Sequence, residues 1–240
     1  MKTFLLFLVL AISLSPQNLQ SNSTFSYDIL NKPDGVVAGP FTSFDFITCF
    51  DTLTSAKELA IEMDYSFVFN ATYFDYESGI FSHAGLLVID DSVYSALKEN
   101  DAQLSYIWSI EKTKSHSEVE HMELWMQPET TSLIVQTGPR IITNSKIDTL
   151  GIMYSINGNH SRERTIVVIL DKKIHYVLLV KDDVTLTECA KLILGYAKFK
   201  GHRIDAINLD GGSSTAYFSQ IREQARFRED KKLPLFIGIK

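Results

Sequence analysis

Two apolar runs rich in β-branched residues, 165–170 and 174–180, are separated only by Asp171-Lys172-Lys173. So short a gap turns the chain straight back, because parallel strands need a crossover of a dozen residues or more. The pair therefore reads as an antiparallel hairpin with a polar turn. Other β-rich runs follow the same habit of ending at turn residues. Residues 66–69 stop at Asn70, 85–89 at Asp90-Asp91, and 132–136 at the break made by Gly138-Pro139. Helices are announced at two places. Ser55 and Glu58 form a capping box ahead of Leu59, Ala60 and Met63. Thr185 and Glu188 form another ahead of Leu186, Ala190, Ile193, Tyr196 and Ala197, with the helix expected to run to Lys200 and stop at Gly201. That cap makes Glu188 a structural residue. Hairpin pairs outnumber strand-helix-strand units, so the expected fold class is α+β, a mostly antiparallel mixed sheet with packed helices in a single domain.

Lys2, an apolar run over 4–14 and then Pro16, Gln17, Asn18 and Gln20 have the layout of a secretory signal peptide. The run is too short to span a bilayer as a helix. Cleavage between Ser13 and Asn22 gives a signal peptide over 1–21 and a domain over 22–240, secreted or periplasmic and with no membrane span after cleavage. The remaining ~220 residues suit one core, and no linker divides them. The net charge of −6 is mixed along the chain, with no basic stripe, which argues against nucleic acid. The basic cluster 222–232 is interrupted by Glu223, Glu229 and Asp230 and reads as a solvated loop.

Cys49 and Cys189 are too few for a disulfide scaffold, and they either pair or remain packed free thiols. The six histidines show no metal-ligand spacing, so no metal or other cofactor is expected; calcium on aspartate and backbone oxygens is the one metal reading left open. Asn-x-Ser/Thr sequons stand at Asn22, Asn70 and Asn159. Residues 98–130, with Trp108 and Trp125, read as a variable insertion over the site.

The stretch most suggestive of chemistry is 205–215. Alternation through Ile204, Ala206 and Asn208 is that of a strand, and Asp210 follows where Gly211 and Gly212 free the backbone. Ser213, Ser214 and Thr215 add hydroxyl groups. One carboxylate beside several donors is a candidate site, and an ordinary turn has the same composition.

Asn208-Leu209-Asp210-Gly211-Gly212-Ser213-Ser214-Thr215 resembles the signature of the phosphodiester glycosidase domain family, which includes a lysosomal uncovering enzyme and exopolysaccharide-associated bacterial proteins. Further segments agree in order. The block starting at Asn70 is similar to the family's Asn-Gly-Gly-Phe-Phe, with Ala71 and Thr72 in place of the glycines. Gln136-Thr137-Gly138-Pro139 resembles its Gln-x-Gly-Pro, Arg164-Thr165 its Arg-Thr, and 185–190 its Thr-Leu-x-Glu-Leu-Ala. The resemblance implies hydrolysis of a sugar-1-phosphodiester, typically of N-acetylglucosamine, or of a phosphate-linked polysaccharide.

In such a reaction the anomeric carbon gains oxocarbenium character that a carboxylate can stabilise, and Asp210 suits that role. Arg164 would grip the phosphodiester or position Asp210 and keep it ionised. The substrate-binding candidates are Asn70, Gln136, Asn208, Gly211, Gly212, Ser213, Ser214 and Thr215. A second carboxylate is open among Asp75, Glu77 and Asp183. The competing function is a non-catalytic module binding polysaccharide or an envelope partner, with side chains at Ala71 and Thr72 obstructing a close-fitting substrate. A Ser213 or Ser214 nucleophile is the weaker third reading, since no nucleophile elbow or ordered histidine partner accompanies them.

Overall fold

A computed structural model describes 11–13 (backbone), 25–99, 101–111, 116–122, 131–155 and 158–240. The predicted signal peptide over 1–21 lies outside the described residues except for Ala11–Ser13, a strand paired with Asp45–Thr48. Asn22 and Trp125 also lie outside them.

The described chain is mostly antiparallel sheet with three α-helices. A seven-stranded sheet runs Lys146–Ile147, Arg140–Thr143, Ile204–Asn208, Arg162–Leu170, Ile174–Val184, Asp34–Phe41 and Ser26–Asn31. Its centre is the hairpin foreseen from sequence, with Leu170 opposite Ile174 and positive φ at Asp171 and Lys172. A six-stranded sheet places Leu235–Ile239 and Phe67–Asn70 at its middle, and a five-stranded sheet is built on Tyr106–Glu111 and Thr131–Thr137. All three contribute inward residues to one core, including Val167 and Ile207, Phe69 and Ile237, and Trp108 and Val135.

The outward faces are covered separately. Helix α1 (Ala56–Met63) packs Leu59 and Ala60 with Val68 and Phe236 behind the six-stranded sheet. Helices α2 (Thr149–Tyr154) and α3 (Leu186–Gly195) cover the seven-stranded one, where Cys189 and Ile193 meet Ile166 and Val168. Both predicted capping boxes are present, Glu188 Oε2 accepting from Thr185 N at 2.8 Å. Helix α3 ends five residues before the expected Lys200. Tyr196 turns extended with ψ 122°, and a 3-10 turn, Ala197–Phe199, follows.

Two further expectations are settled here. Both cysteines are buried free thiols, so the packed-thiol alternative holds. The supposed insertion over 98–130 supplies instead the core strand Tyr106–Glu111, where Trp108 is fully buried and donates from Nε1 to Ser117 Oγ at 2.8 Å. The paired strand His116–His121 carries Glu118 and Glu120 on the face opposite buried Ser117 and Val119. Among the described residues no helix is long and apolar enough to cross a membrane.

Candidate active site

The strand Ile204–Asn208 delivers Asp210 to a turn that needs both of its glycines. Gly212 sits at φ +56°, and a Cβ on Gly211 would lie 2.8 Å from the Glu163 carbonyl oxygen. One glycine supplies conformation and the other close approach. The turn closes on itself, Ser214 N donating to Gly211 O and Thr215 N to Gly212 O, each at 3.1 Å.

Asn70 ties this turn to the neighbouring sheet. Its Nδ2 donates to the Asp210 carbonyl at 2.6 Å and to that of Ala71 at 3.3 Å, while Oδ1 accepts from Thr165 Oγ1 at 2.8 Å and Ala216 N at 3.2 Å. The side chain is buried and both ends of the amide are engaged within the protein. Asn208 acts on the other flank. Its Nδ2 donates to Tyr73 Oη at 2.8 Å and to the Leu209 carbonyl at 2.6 Å, and Tyr73 Oη donates to Gly138 O at 2.9 Å. Ala71 and Thr72, which replace the family glycines, are buried, with Thr72 Oγ1 donating to Thr137 Oγ1 at 2.8 Å.

Asp210 keeps part of its surface open to solvent. Burial pushes its carboxyl up to about 6, against the opposing pull of a Ser214 side-chain hydrogen bond, the Gly211 backbone and the Lys231 ammonium. Tyr73 is its neighbour: burial raises the phenol, and the charge of Asp210 raises it further. The same phenol feels the charge of Arg164, which opposes that of Asp210.

Arg164 is turned into the protein. It is 2% exposed, with Nε donating to Val184 O at 3.1 Å and Nη2 to His160 O, and its pKa is lowered chiefly by burial. The position two before Ile166 explains this, since Ile166 and Val168 face the α3 side of the sheet, where Cys189 also lies. Gln136 is likewise placed away from the turn. Leu133 and Val135 face the common core, so Gln136 shares the outer face with Ile134. There its Oε1 accepts from Leu86 N and Lys98 N at 2.9 Å, and Nε2 donates to Lys98 O at 2.6 Å and Leu104 O at 2.8 Å.

The cations nearest the turn are ones that the sequence reading passed over. Lys231 Nζ donates to the Ser213 carbonyl, Arg228 Nη1 to that of Gly212 at 2.9 Å, and Arg228 Nη2 to Glu163 Oε1 at 2.6 Å. Arg162 Nη1 lies 3.8 Å from where a Gly212 Cβ would stand. The 222–232 segment looked neutralised because acids interrupt it. Two of those acids, Glu229 and Asp230, are drawn to Lys57 at 3.2 and 3.4 Å, which leaves Arg228 and Lys231 at the turn. The i, i+3 spacing of these two was the available signal.

Ser213 is exposed, Ser214 serves Asp210, and Thr215 is buried. Of the open second carboxylates, Asp75 is 3.4 Å from Lys98, Glu77 is exposed, and Asp183 acts on Arg164. Among the described residues no group of three His, Cys, Asp or Glu is placed to hold a metal ion.

The sequence model of the phosphodiester glycosidase family matches residues 63–240, from the end of α1 through every element of this site. The chain belongs to that family. The phosphodiester glycosidase fold is also seen in solved structures. The zebrafish N-acetylglucosamine-1-phosphodiester alpha-N-acetylglucosaminidase catalytic domain, auto-inhibited by its pro-peptide, is similar at TM-score 0.63 and 13% identity, over 95% of this chain and 87% of that one. A hypothetical protein from Synechocystis is similar at TM-score 0.52 and 11% identity, over 89% and 61%. At these identities the likeness is one of fold. No curated protein matches by sequence.

Proposed function

We propose that this phosphodiester glycosidase is exported and hydrolyses a sugar-1-phosphodiester, of the N-acetylglucosamine-1-phosphodiester kind, at the anomeric C–O bond. The observation that carries the reading is the pairing of a half-buried Asp210, its pKa raised to about 6, with Arg162, Arg228 and Lys231 around the adjoining glycine turn. At pH 7 a group with that pKa is ionised in roughly nine molecules of ten. It can stabilise positive charge growing at the anomeric carbon as the bond pair leaves with the phosphate oxygen. The three cations and the turn hold the phosphate, whose departure as a stabilised anion needs little protonation. Asn70 and Asn208 shape the site by fixing the Asp210 backbone and the Tyr73 phenol.

The non-catalytic reading rested on Ala71 and Thr72 obstructing the substrate. Both side chains are buried, Thr72 against Thr137, which counts against an obstruction. The test is release of free sugar from a panel of sugar-1-phosphodiesters in ¹⁸O water. Label in the sugar supports the proposal. Label only in the phosphomonoester, or no release by folded protein, defeats it. Export rests on the 1–21 layout, and an exported product beginning at Met1 counts against the signal peptide.

A further inference from the structure

Glu163 precedes Arg164 on the strand Arg162–Leu170, so the two side chains point to opposite faces. Arg164 faces α3 together with Ile166, whereas Thr165 reaches Asn70 and Val167 the common core. Glu163 therefore shares the face that carries the glycine turn. Its contacts agree: the Glu163 carbonyl oxygen lies 2.8 Å from where a Gly211 Cβ would stand, and its Oε1 accepts from Arg228 Nη2 at 2.6 Å. Arg228 also donates from Nη1 to Gly212 O at 2.9 Å, so one guanidinium bridges the carboxylate and the turn. The pairing of this strand with Ile174–Val184 shifts register between Arg162 and Arg164, the kind of irregularity that re-aims a side chain. The Glu163 side chain is 18% exposed, and its charge acts on Lys231 together with that of Asp210. A carboxylate thus stands among the cations that are to hold a phosphate.

We infer that Glu163 is a specificity-determining residue that matches the site to a singly charged phosphodiester and eases release of the doubly charged phosphomonoester formed from it. The inference rests on the phosphodiester glycosidase reading of Asp210. Arg162, Arg228 and Lys231 face two carboxylates, Asp210 and Glu163, which leaves one net positive charge at the turn. Other charges nearby are engaged elsewhere. Glu229 and Asp230 are drawn to Lys57, and Arg164 lies on the opposite face of its strand, where Asp183 acts on it. A phosphodiester, with its single negative charge, brings the site to neutrality. In the hydrolysis water gives its OH to the anomeric carbon and a proton to solvent, while the bond pair stays on the phosphate oxygen. The ligand's charge rises from one to about two. One negative charge is then uncompensated in a partly buried site, which favours departure of the product. Without Glu163 the net charge would match the phosphomonoester instead and hold it.

The experiment titrates the full chain and its Glu163→Gln and Glu163→Asp variants with dimethyl phosphate and with methyl phosphate at pH 8, following binding by NMR. Neither ester has a glycosidic bond to cleave, so binding is read without turnover. Glu163→Gln keeps an acceptor for Arg228 and removes the charge. One change in potential acts on a single charge in the diester and on two in the monoester, so the fold-change for the second is the square of that for the first. The expected result is a Kd lowered about threefold for dimethyl phosphate and about tenfold for methyl phosphate. Glu163→Asp keeps the charge, and both constants should stay within about twofold of wild type. Equal tightening of the two esters, no tightening, or weaker binding of both in Glu163→Gln overturns the inference and leaves Glu163 as a clamp on Arg228. An Asp variant that behaves like the Gln variant overturns it as well, because the charge is then not what acts. Folded wild-type protein that binds neither ester removes the phosphate from the turn and the inference with it. If the charge pattern appears while no sugar-1-phosphodiester is cleaved, the inference about Glu163 stands for binding and the catalytic reading of Asp210 fails by itself.

Discussion

Replacing Asp210 by asparagine should weaken catalysis and strengthen the fold, and the two effects come from the same burial. The carboxyl is raised from 3.8 to about 6, so the folded state holds its proton more tightly than the unfolded state. The stabilising contribution is complete below about pH 4 and is lost as pH rises through 6, so ionised Asp210 is a cost at neutral pH. Two pKa units correspond to about 3 kcal/mol, and the carboxyl's partial exposure to solvent reduces this to about 1–2 kcal/mol. Asp210→Asn keeps the shape and removes the charge. Urea unfolding of both proteins should show the variant more stable by about 1–2 kcal/mol at pH 7, with the advantage gone at pH 4. Turnover of a cleavable phosphodiester at pH 7 should fall by about a thousandfold or more, roughly 4 kcal/mol of transition-state stabilisation. A variant that loses stability at pH 7 refutes the burial argument. One that is folded and turns over within about tenfold of wild type removes Asp210 from the mechanism.

Arg228→Ala and Lys231→Ala should each raise KM for a phosphodiester by about tenfold and flatten its dependence on salt; unchanged KM in steady-state assays would exclude them from phosphate binding. Gln136→Ala leaves two N–H groups and two carbonyls without their partner, so equilibrium unfolding should show a loss of about 3 kcal/mol with KM unaltered. His175 is buried against Phe41, Phe44 and Trp108, and burial lowers it from 6.5 to about 4. Its neutral form therefore supports the fold above pH 6.5, and that support, about 3 kcal/mol, is lost as pH falls to 4. His175→Phe should make the stability profile shallower over that range; an unchanged profile in urea titrations at pH 7 and 4.5 would contradict this.

The sheet was legible wherever the chain states its own pairing. Asp171-Lys172-Lys173 leaves the runs around it no geometry but a hairpin, and the two capping boxes mark helix starts through local hydrogen bonds. Trp108 was misplaced because charged residues bracket its run, at 98–101 and from Glu111 onward. The strand itself is buried on both faces, with Trp108 in the common core and Ile107 in a cluster on the other side, and a reading averaged over 98–130 hides so short a run. At the site, the turn and its glycines were legible because conformation and close approach are properties of the residue itself. Side-chain direction was not. Arg164 lies on the face of Ile166 and Gln136 on that of Ile134, and in runs apolar on both sides the local sequence does not say which face is turned toward the site.

Asp210 shows how the fold holds a group that it would be more stable without. Its carbonyl accepts from Asn70 and its N–H donates to Ala71 O at 3.3 Å, so the strand ends of two sheets fix the backbone on both sides of the residue. The Asn70 amide is buried, and its own partners, Thr165 and Ala216, sit on different elements. A carboxylate held by such a frame cannot move outward to recover hydration, which is the condition under which burial raises a pKa instead of simply reorienting the side chain. Two of the three cations, Arg228 and Lys231, arrive from a separate segment, 222–232, tied down by Glu229 and Asp230 on Lys57 of α1. Under the proposed function, the carboxylate for the sugar carbon and two of the cations for the phosphate come from different segments of the chain. Removing Arg228 or Lys231 should therefore change binding while leaving the Asp210 backbone in place, and removing Asn70 should displace Asp210 itself.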